Sequence, residues 1–230
     1  MFGELVKGMT WLINWLYDAT VAMGVPSYAL AIIFLTVLVK LVLYPLTHMQ
    51  MKSMVGLQRL QPEIKKIQAK YGKKDPQKMQ QAIMELYREH KVNPMAGCFL
   101  LLVQLPILIA LYRALYRFPY TDVAHAGFFW ISTLSDKDPY YILPVLAGVT
   151  TYIQSKMTMV SGGGQEPTQR MMTVFMPVFI AWIASTIAAG LSLYWVVFNV
   201  LSIAQQYIIN RQIVPAKEGV GKGEGGGKER

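Results

Sequence analysis

The segment Ser27-YALAIIFLTVLVKLVLYPL-Thr47 carries one charged residue, Lys40, near the middle of an otherwise uncharged apolar run. A run of this length suits a helix crossing a hydrocarbon core of roughly 30 Å. A Lys at the centre of such a helix costs roughly 2.5–3.5 kcal/mol on insertion scales. An ammonium kept there requires a water-filled cavity, a partner or a task.

Composition points to a membrane protein. Of its 230 residues only 15% are charged and 53% are hydrophobic, with a mean hydropathy of +0.33. A soluble domain is about a quarter charged. The net charge of +9 is compatible with nucleic acid, but in a membrane protein basic residues collect in cytoplasmic loops. Cys98 is the lone cysteine, so no intrachain disulfide can form. The N-terminus carries Glu4 and Asp18 and lacks an apolar core followed by small residues, so no cleaved signal peptide is read.

Working outward from Lys40, the pattern predicts an all-α polytopic membrane protein with five transmembrane helices. An extracytoplasmic interfacial helix occupies 1–26 and span one 27–47. A cytoplasmic helical hairpin follows at 48–95, then span two at 96–117 and an extracytoplasmic loop at 118–139. Span three is 140–156, a cytoplasmic loop 157–170, span four 171–189, span five 190–210 and a flexible cytoplasmic tail 211–230. Spans four and five form one uncharged stretch from Met171 to Asn210, about twice the length of one crossing. Ala188-Ala-Gly190 is the expected turn, because Gly tolerates the backbone angles of a tight reversal.

Charge sets the direction. If the basic segment 48–93 is cytoplasmic, seventeen of the 22 Lys and Arg lie inside, and only Lys7, Arg113, Arg117 and Lys137 lie outside, with Lys40 in the membrane. The N-terminus is then outside and the C-terminus inside.

In the N-terminal segment, Trp11 and Trp15, with Leu12 and Leu16, recur at four-residue spacing, as in an amphipathic helix lying in the interface. In the hairpin, Leu60, Ile64, Ile67 and Tyr71 form one stripe, and Met79, Ile83, Leu86 and Tyr87 the other. Between them, Gly72 reads as a C-cap, Asp75 as an N-cap and Pro76 as a first helical residue. Lys65, Lys66, Lys73, Lys74 and Lys78 are either a solvated face or a docking surface for a ribosome, a targeting receptor or lipid headgroups. The tail 215–230 is Gly-rich and nearly charge-balanced, as is a flexible coil. Ser161-Gly-Gly-Gly164 reads as a connector.

Catalytic chemistry is missing from the pattern. No acid lies within any span, His48, His90 and His125 are far apart, and no metal-ligand spacing or phosphate loop is present. No enzyme activity, metal or cofactor is implied. Thr36, Gln104, Gln154, Asn199 and Gln205 can share an interior with Lys40, with Tyr194 and Trp195 adding amphipathic rings. Taken singly, each amide is better explained as an interhelical hydrogen bond. Lys40 is not, since no span supplies a carboxylate. A wet, positively charged groove in a low-dielectric wall would attract an acidic guest segment.

Seven stretches, in order along nearly the whole chain, resemble one family. They are Thr36-VLVKLVLYPL-Thr47, Leu60-QPEIKKI-Gln68, Met84-ELYREHKVNPMAG-Cys98, Leu102-VQLPILIAL-Tyr112, Asp138-PYYILPVLAGV-Thr150, Phe175-Met-Pro177 and Gly190-LSLYWVVFNVLSIAQ-Gln206. Together they resemble the YidC insertases, related to the mitochondrial Oxa and thylakoid Alb proteins, in the short form of a Gram-positive-type bacterium. The resemblance implies five spans, an amphipathic outer helix, a cytoplasmic hairpin, and a groove open to cytoplasm and lipid but closed outside. It implies a substrate-contacting basic residue on span one, usually Arg and here Lys40, with Gln154 and Trp195 lining the groove and Thr36 and Gln104 nearby. Lys keeps the charge without the planar five-donor fork of Arg.

The implied function is insertion of membrane proteins, alone or beside the Sec translocon, with nascent membrane proteins and the bilayer as partners and no DNA. The alternative is a small-anion transporter or channel with Lys40 as the binding charge, and a passive scaffold is a third reading. A transporter predicts saturable anion flux in proteoliposomes that disappears in Lys40→Gln. An insertase predicts no such flux.

Overall fold

The computed structural model describes residues 2–72, 74–93, 96–116, 118–158 and 167–213. Lys73, the Gly-rich connector at 161–164 and the tail beyond 213 lie outside them. The described residues are all-helical: α1 (Phe2–Ala22), α2 (Tyr28–Val42), α3 (Tyr44–Tyr71), α4 (Pro76–Glu89), α5 (Ala96–Leu115), α6 (Ile142–Thr158), α7 (Pro167–Thr186) and α8 (Ala189–Ile213). The segment between α5 and α6 adds a single 3-10 turn, Val123–His125, and one isolated bridge, Phe128–Ile131.

Local chemistry accounts for most boundaries. Ser27 caps α2 by accepting from the Leu30 amide at 3.3 Å. Gly72 ends α3 at φ +33°, and the Asp75 carboxylate caps α4 by accepting from the Lys78 amide at 3.2 Å. The first apolar run is not one straight helix. It breaks at Leu43, where α2 and the start of α3 meet at 66°. Pro45 lacks the N–H that would continue the ladder to the Leu41 carbonyl, so the helix cannot run through. Lys40 therefore sits in the last turn of α2 rather than midway along a helix, where the carbonyl end of the helix favours a cation.

The reversal between α7 and α8 falls at Ile187 and Ala188. Gly190 lies inside α8, without the positive φ expected of a turn glycine. Its role is close approach: a Cβ there would lie 3.1 Å from Ile32 Cδ1 and from Leu115 Cδ1.

By length and composition, α8 over Ala189–Ile209 is the one described helix able to cross a membrane alone. Tyr28–Val42 with Tyr44–Leu57 qualifies as a bent pair, and Val103–Leu115 and Thr173–Thr186 are shorter apolar helices. α8 packs against α2, α3, α5, α6 and α7, and α6 also packs along α7. The α1 face of Ile13, Leu16, Tyr17 and Thr20 is buried, whereas Trp11 and Trp15 are exposed. The main core joins that face to Ile32 and Leu35 of α2, Leu111 and Leu115 of α5, Leu134, and Leu191 and Tyr194 of α8. The α3–α4 hairpin has its own small core of Leu60, Ile64 and Leu86.

Segment 118–139 closes the end of the bundle that α1 covers, by occupying helix termini. The Ser135 hydroxyl donates to the Leu115 carbonyl at the end of α5, at 2.8 Å. The carbonyls of Asp136 and Leu134 accept from the Ala189 and Gly190 amides at the start of α8, at 2.6 and 2.8 Å. The buried Asp138 carboxylate accepts from the Leu143 amide at the start of α6, at 2.7 Å. Three helix ends that would otherwise hold orphan backbone groups are satisfied by one connection. Tyr28 ties it to the bundle: its ring stacks on Tyr17 at 3.9 Å, and its oxygen accepts from the Thr121 amide at 2.8 Å.

The α6–α7 contact is tight at Gly148, where a Cβ would lie 3.0 Å from Ala181 Cβ and 3.1 Å from the Pro177 carbonyl oxygen. Gly148→Val should lower stability by about 1–3 kcal/mol through overpacking, read as a lower unfolding midpoint in detergent.

Candidate functional site

α8 carries polar side chains toward nearly every helix it touches. Tyr194, Phe198 and Ser202 recur at four-residue spacing on one face. Ser202 meets α2: its hydroxyl accepts from Lys40 Nζ at 2.6 Å and donates to the Phe198 carbonyl at 2.7 Å. The same ammonium lies over the Phe198 ring, 3.9 Å from its centroid. Lys40 is 8% exposed. Among the described residues no carboxylate lies within ion-pair distance of it.

The contacts explain how the cation is tolerated without an acid. A desolvated cation over a ring gains about 2 kcal/mol, and a hydrogen bond to a charged group about 1.5–3 kcal/mol. Together, at about 3.5–5 kcal/mol, these are enough to offset the insertion cost. An ammonium has three N–H donors. One is used on Ser202, so Lys40 keeps hydrogen-bonding capacity for a guest.

The remaining candidate residues are distributed around α8 rather than gathered at Lys40. Gln104 of α5 donates its amide N–H to the Tyr194 hydroxyl oxygen at 2.7 Å, while its buried carbonyl oxygen has no partner among the described residues. Asn199 faces α6 and donates to the Thr150 and Thr151 hydroxyls at 3.1 and 2.8 Å. Gln205 donates to the Thr47 hydroxyl of α3 at 3.0 Å. The Thr36 hydroxyl is fully buried and donates to its own helix, to the Ile32 carbonyl at 2.7 Å. Gln154 on α6 and Trp195 on α8 are each half-buried.

Ser202 and Phe198, which hold the Lys40 ammonium, are the site contacts that pattern reading missed. Their four-residue spacing from Tyr194 was visible, but a Ser and a Phe in an apolar helix look like ordinary membrane composition. Of the hairpin lysines, Lys66, Lys74 and Lys78 are exposed and Lys65 is half-buried. Lys78 pairs with Asp75 at 3.0 Å.

A bundle organised on one central apolar helix, with a buried cation and interhelical amide pairs, is a membrane-protein architecture. A family model described as "60Kd inner membrane protein" matches residues 20–217, and the chain belongs to this family of bacterial inner-membrane proteins. It is 46% identical over 192 residues to the membrane protein insertase YidC of Geobacter sulfurreducens, covering 83% of this chain and 35% of that protein. It is 45% identical over 186 residues to the membrane protein insertase MisCA of Bacillus subtilis, covering 80% of this chain and 70% of that protein. The chain thus spans about a third of the length of the Geobacter relative and over two thirds of the Bacillus one. Among solved structures it is similar to an active YidC insertase with its first transmembrane domain resolved. The TM-score is 0.70 at 32% identity, covering 90% of this chain and 46% of that one. These relatives are named as insertases, not as enzymes.

The Gln104–Tyr194 pair gives a direct test. Tyr194→Phe keeps the ring and removes the acceptor. It should destabilise the protein by about 0.6–1.7 kcal/mol, the range of interhelical hydrogen bonds in membranes, measured by unfolding in detergent.

Proposed function

We propose that this chain inserts and helps fold integral membrane proteins, alone or with the Sec translocon, through an intramembrane groove carrying the Lys40 charge. The observation that carries this reading is the Lys40 site itself. A buried ammonium rests on a phenyl ring and one hydroxyl, with no carboxylate in reach among the described residues. A cation parked on weak neutral partners is available to a guest carboxylate, whereas one locked in an ion pair is not. The partnerless Gln104 carbonyl oxygen adds an acceptor that water or a guest amide can satisfy. The kinship with YidC and MisCA insertases supports the same reading.

In this proposal five crossings are made by α2 with the first turn of α3, then α5, α6, α7 and α8, in the bacterial plasma membrane. The N-terminus and segment 118–139 face outside. The α3–α4 hairpin and the C-terminus face the cytoplasm. α1 lies in the outer interface on its exposed Trp11 and Trp15. Groove-lining residues are Lys40, Thr36, Gln104, Gln154, Tyr194, Trp195 and Asn199, with Ser202 and Phe198 as the seat of the ammonium. A hydrophilic guest stretch lodges against Lys40 while its apolar neighbour moves into lipid. Lys65, Lys66, Lys73, Lys74 and Lys78 offer docking charge for a ribosome or targeting receptor.

Depleted cells should accumulate uninserted small membrane proteins, and Lys40→Arg should restore insertion. Lys40→Glu should lower the inserted fraction about tenfold or more, because reversing the attraction exceeds about 1.4 kcal/mol. Wild-type rescue by both Lys40→Ala and Lys40→Glu overturns the role of the charge. Photocrosslinkers at Lys40 and Trp195 should capture nascent membrane proteins.

A further inference from the structure

Segment 118–139 presents its aromatic residues in an unusual way. Phe129 is 88% exposed and holds a positive φ of 48°. Tyr141 is 57% exposed at φ 58°. Left-handed backbone is unfavourable for bulky residues, and exposing a phenyl ring to water is unfavourable as well. Glycine or asparagine would relieve both at once. An outlier of this kind points to a compensating interaction.

The rings are also fixed in place. Phe128 and Ile131 exchange two backbone hydrogen bonds of 2.8 Å, closing the tip of the loop. Phe129 packs against Phe128 at 4.6 Å and against Trp130 at 6.0 Å between centroids. Trp130 Nε1 and the Tyr140 amide both donate to Asp138 Oδ1, at 2.8 and 3.0 Å. One buried carboxylate oxygen thereby holds the Phe129–Trp130 tip beside Tyr140 and Tyr141. From Tyr141 the exposed surface runs down α6 through Val145 and Val149, with Ile142 and Leu146 alongside. That stripe is uncharged over two turns.

We propose that Phe129, Tyr140 and Tyr141 form a rigid anchor seated in the headgroup interface of the outer leaflet, with phospholipid as the occupant. This rests on the span and orientation assigned to α6 above. The argument for lipid is continuity: the aromatic cluster caps the stripe of α6 that faces acyl chains, at the depth where aromatic rings are favoured. Tyr has an apolar body for the hydrocarbon side and a hydroxyl for the headgroups. Lipid contact offsets both the exposed ring and the strained backbone of Phe129. Because the same carboxylate caps α6, the anchor sets the height of α6, and thereby of its neighbour α8, relative to the bilayer.

The test uses the full-length chain in proteoliposomes of phosphatidylethanolamine and phosphatidylglycerol, with a radiolabelled phospholipid. A photoreactive phenylalanine replaces Phe129, Val149 at the far end of the stripe, or Val123, which is 70% exposed in segment 118–139. Lipid adducts should be severalfold more abundant at 129 than at 123, and abundant at 149. Adducts at 149 with none above the 123 level at 129 overturn the anchor alone. Absence at both 129 and 149 overturns the span assigned to α6 and the anchor with it. In native membranes, adducts at 129 that go to protein instead of lipid also overturn the proposal.

Discussion

Inside an apolar bundle each polar group must find its partner within the protein, because lipid offers none. This constraint organises the molecule around α8. Four polar side chains on that helix are each matched to a group on a different neighbour: Ser202 to Lys40 on α2, Tyr194 to Gln104 on α5, Asn199 to Thr150 and Thr151 on α6, Gln205 to Thr47 on α3. Each pair fixes the rotation of one helix about α8 more than it adds stability, since such bonds average well under 2 kcal/mol. Apolar packing supplies the contact, and the polar pairs supply the register.

The same accounting explains segment 118–139. Helix ends leave unsatisfied amides and carbonyls, and three of them converge where α5, α6 and α8 meet this connection. Ser135, Asp138 and the carbonyls of Leu134 and Asp136 meet them. The result is a closed end of the bundle opposite the Lys40 end.

Much of the architecture was legible without coordinates because it depends on near neighbours in sequence. The hairpin turn around Gly72, Asp75 and Pro76 is local cap chemistry, and its apolar stripes at 60–71 and 79–87 follow helical period. The reversal near Ala188 followed from length alone, although the residue expected to make it, Gly190, turned out to serve close packing. The break at Leu43 was less visible, because the apolar run continues through Pro45 and hydropathy does not register a missing N–H.

Residue order and composition alone settled that the chain is helical, suited to a membrane, and carries one isolated cation in its first long apolar run. Those properties follow from composition, period and motif order. What Lys40 touches emerged only from the three-dimensional packing, as did the separation of Gln104, Asn199 and Gln205 into different interhelical pairs. The physical reason is rotational. Hydropathy shows that a residue lies in a helix, but which neighbour it faces depends on how five helices turn about α8. That is set jointly by polar pairs separated by up to 162 residues of chain.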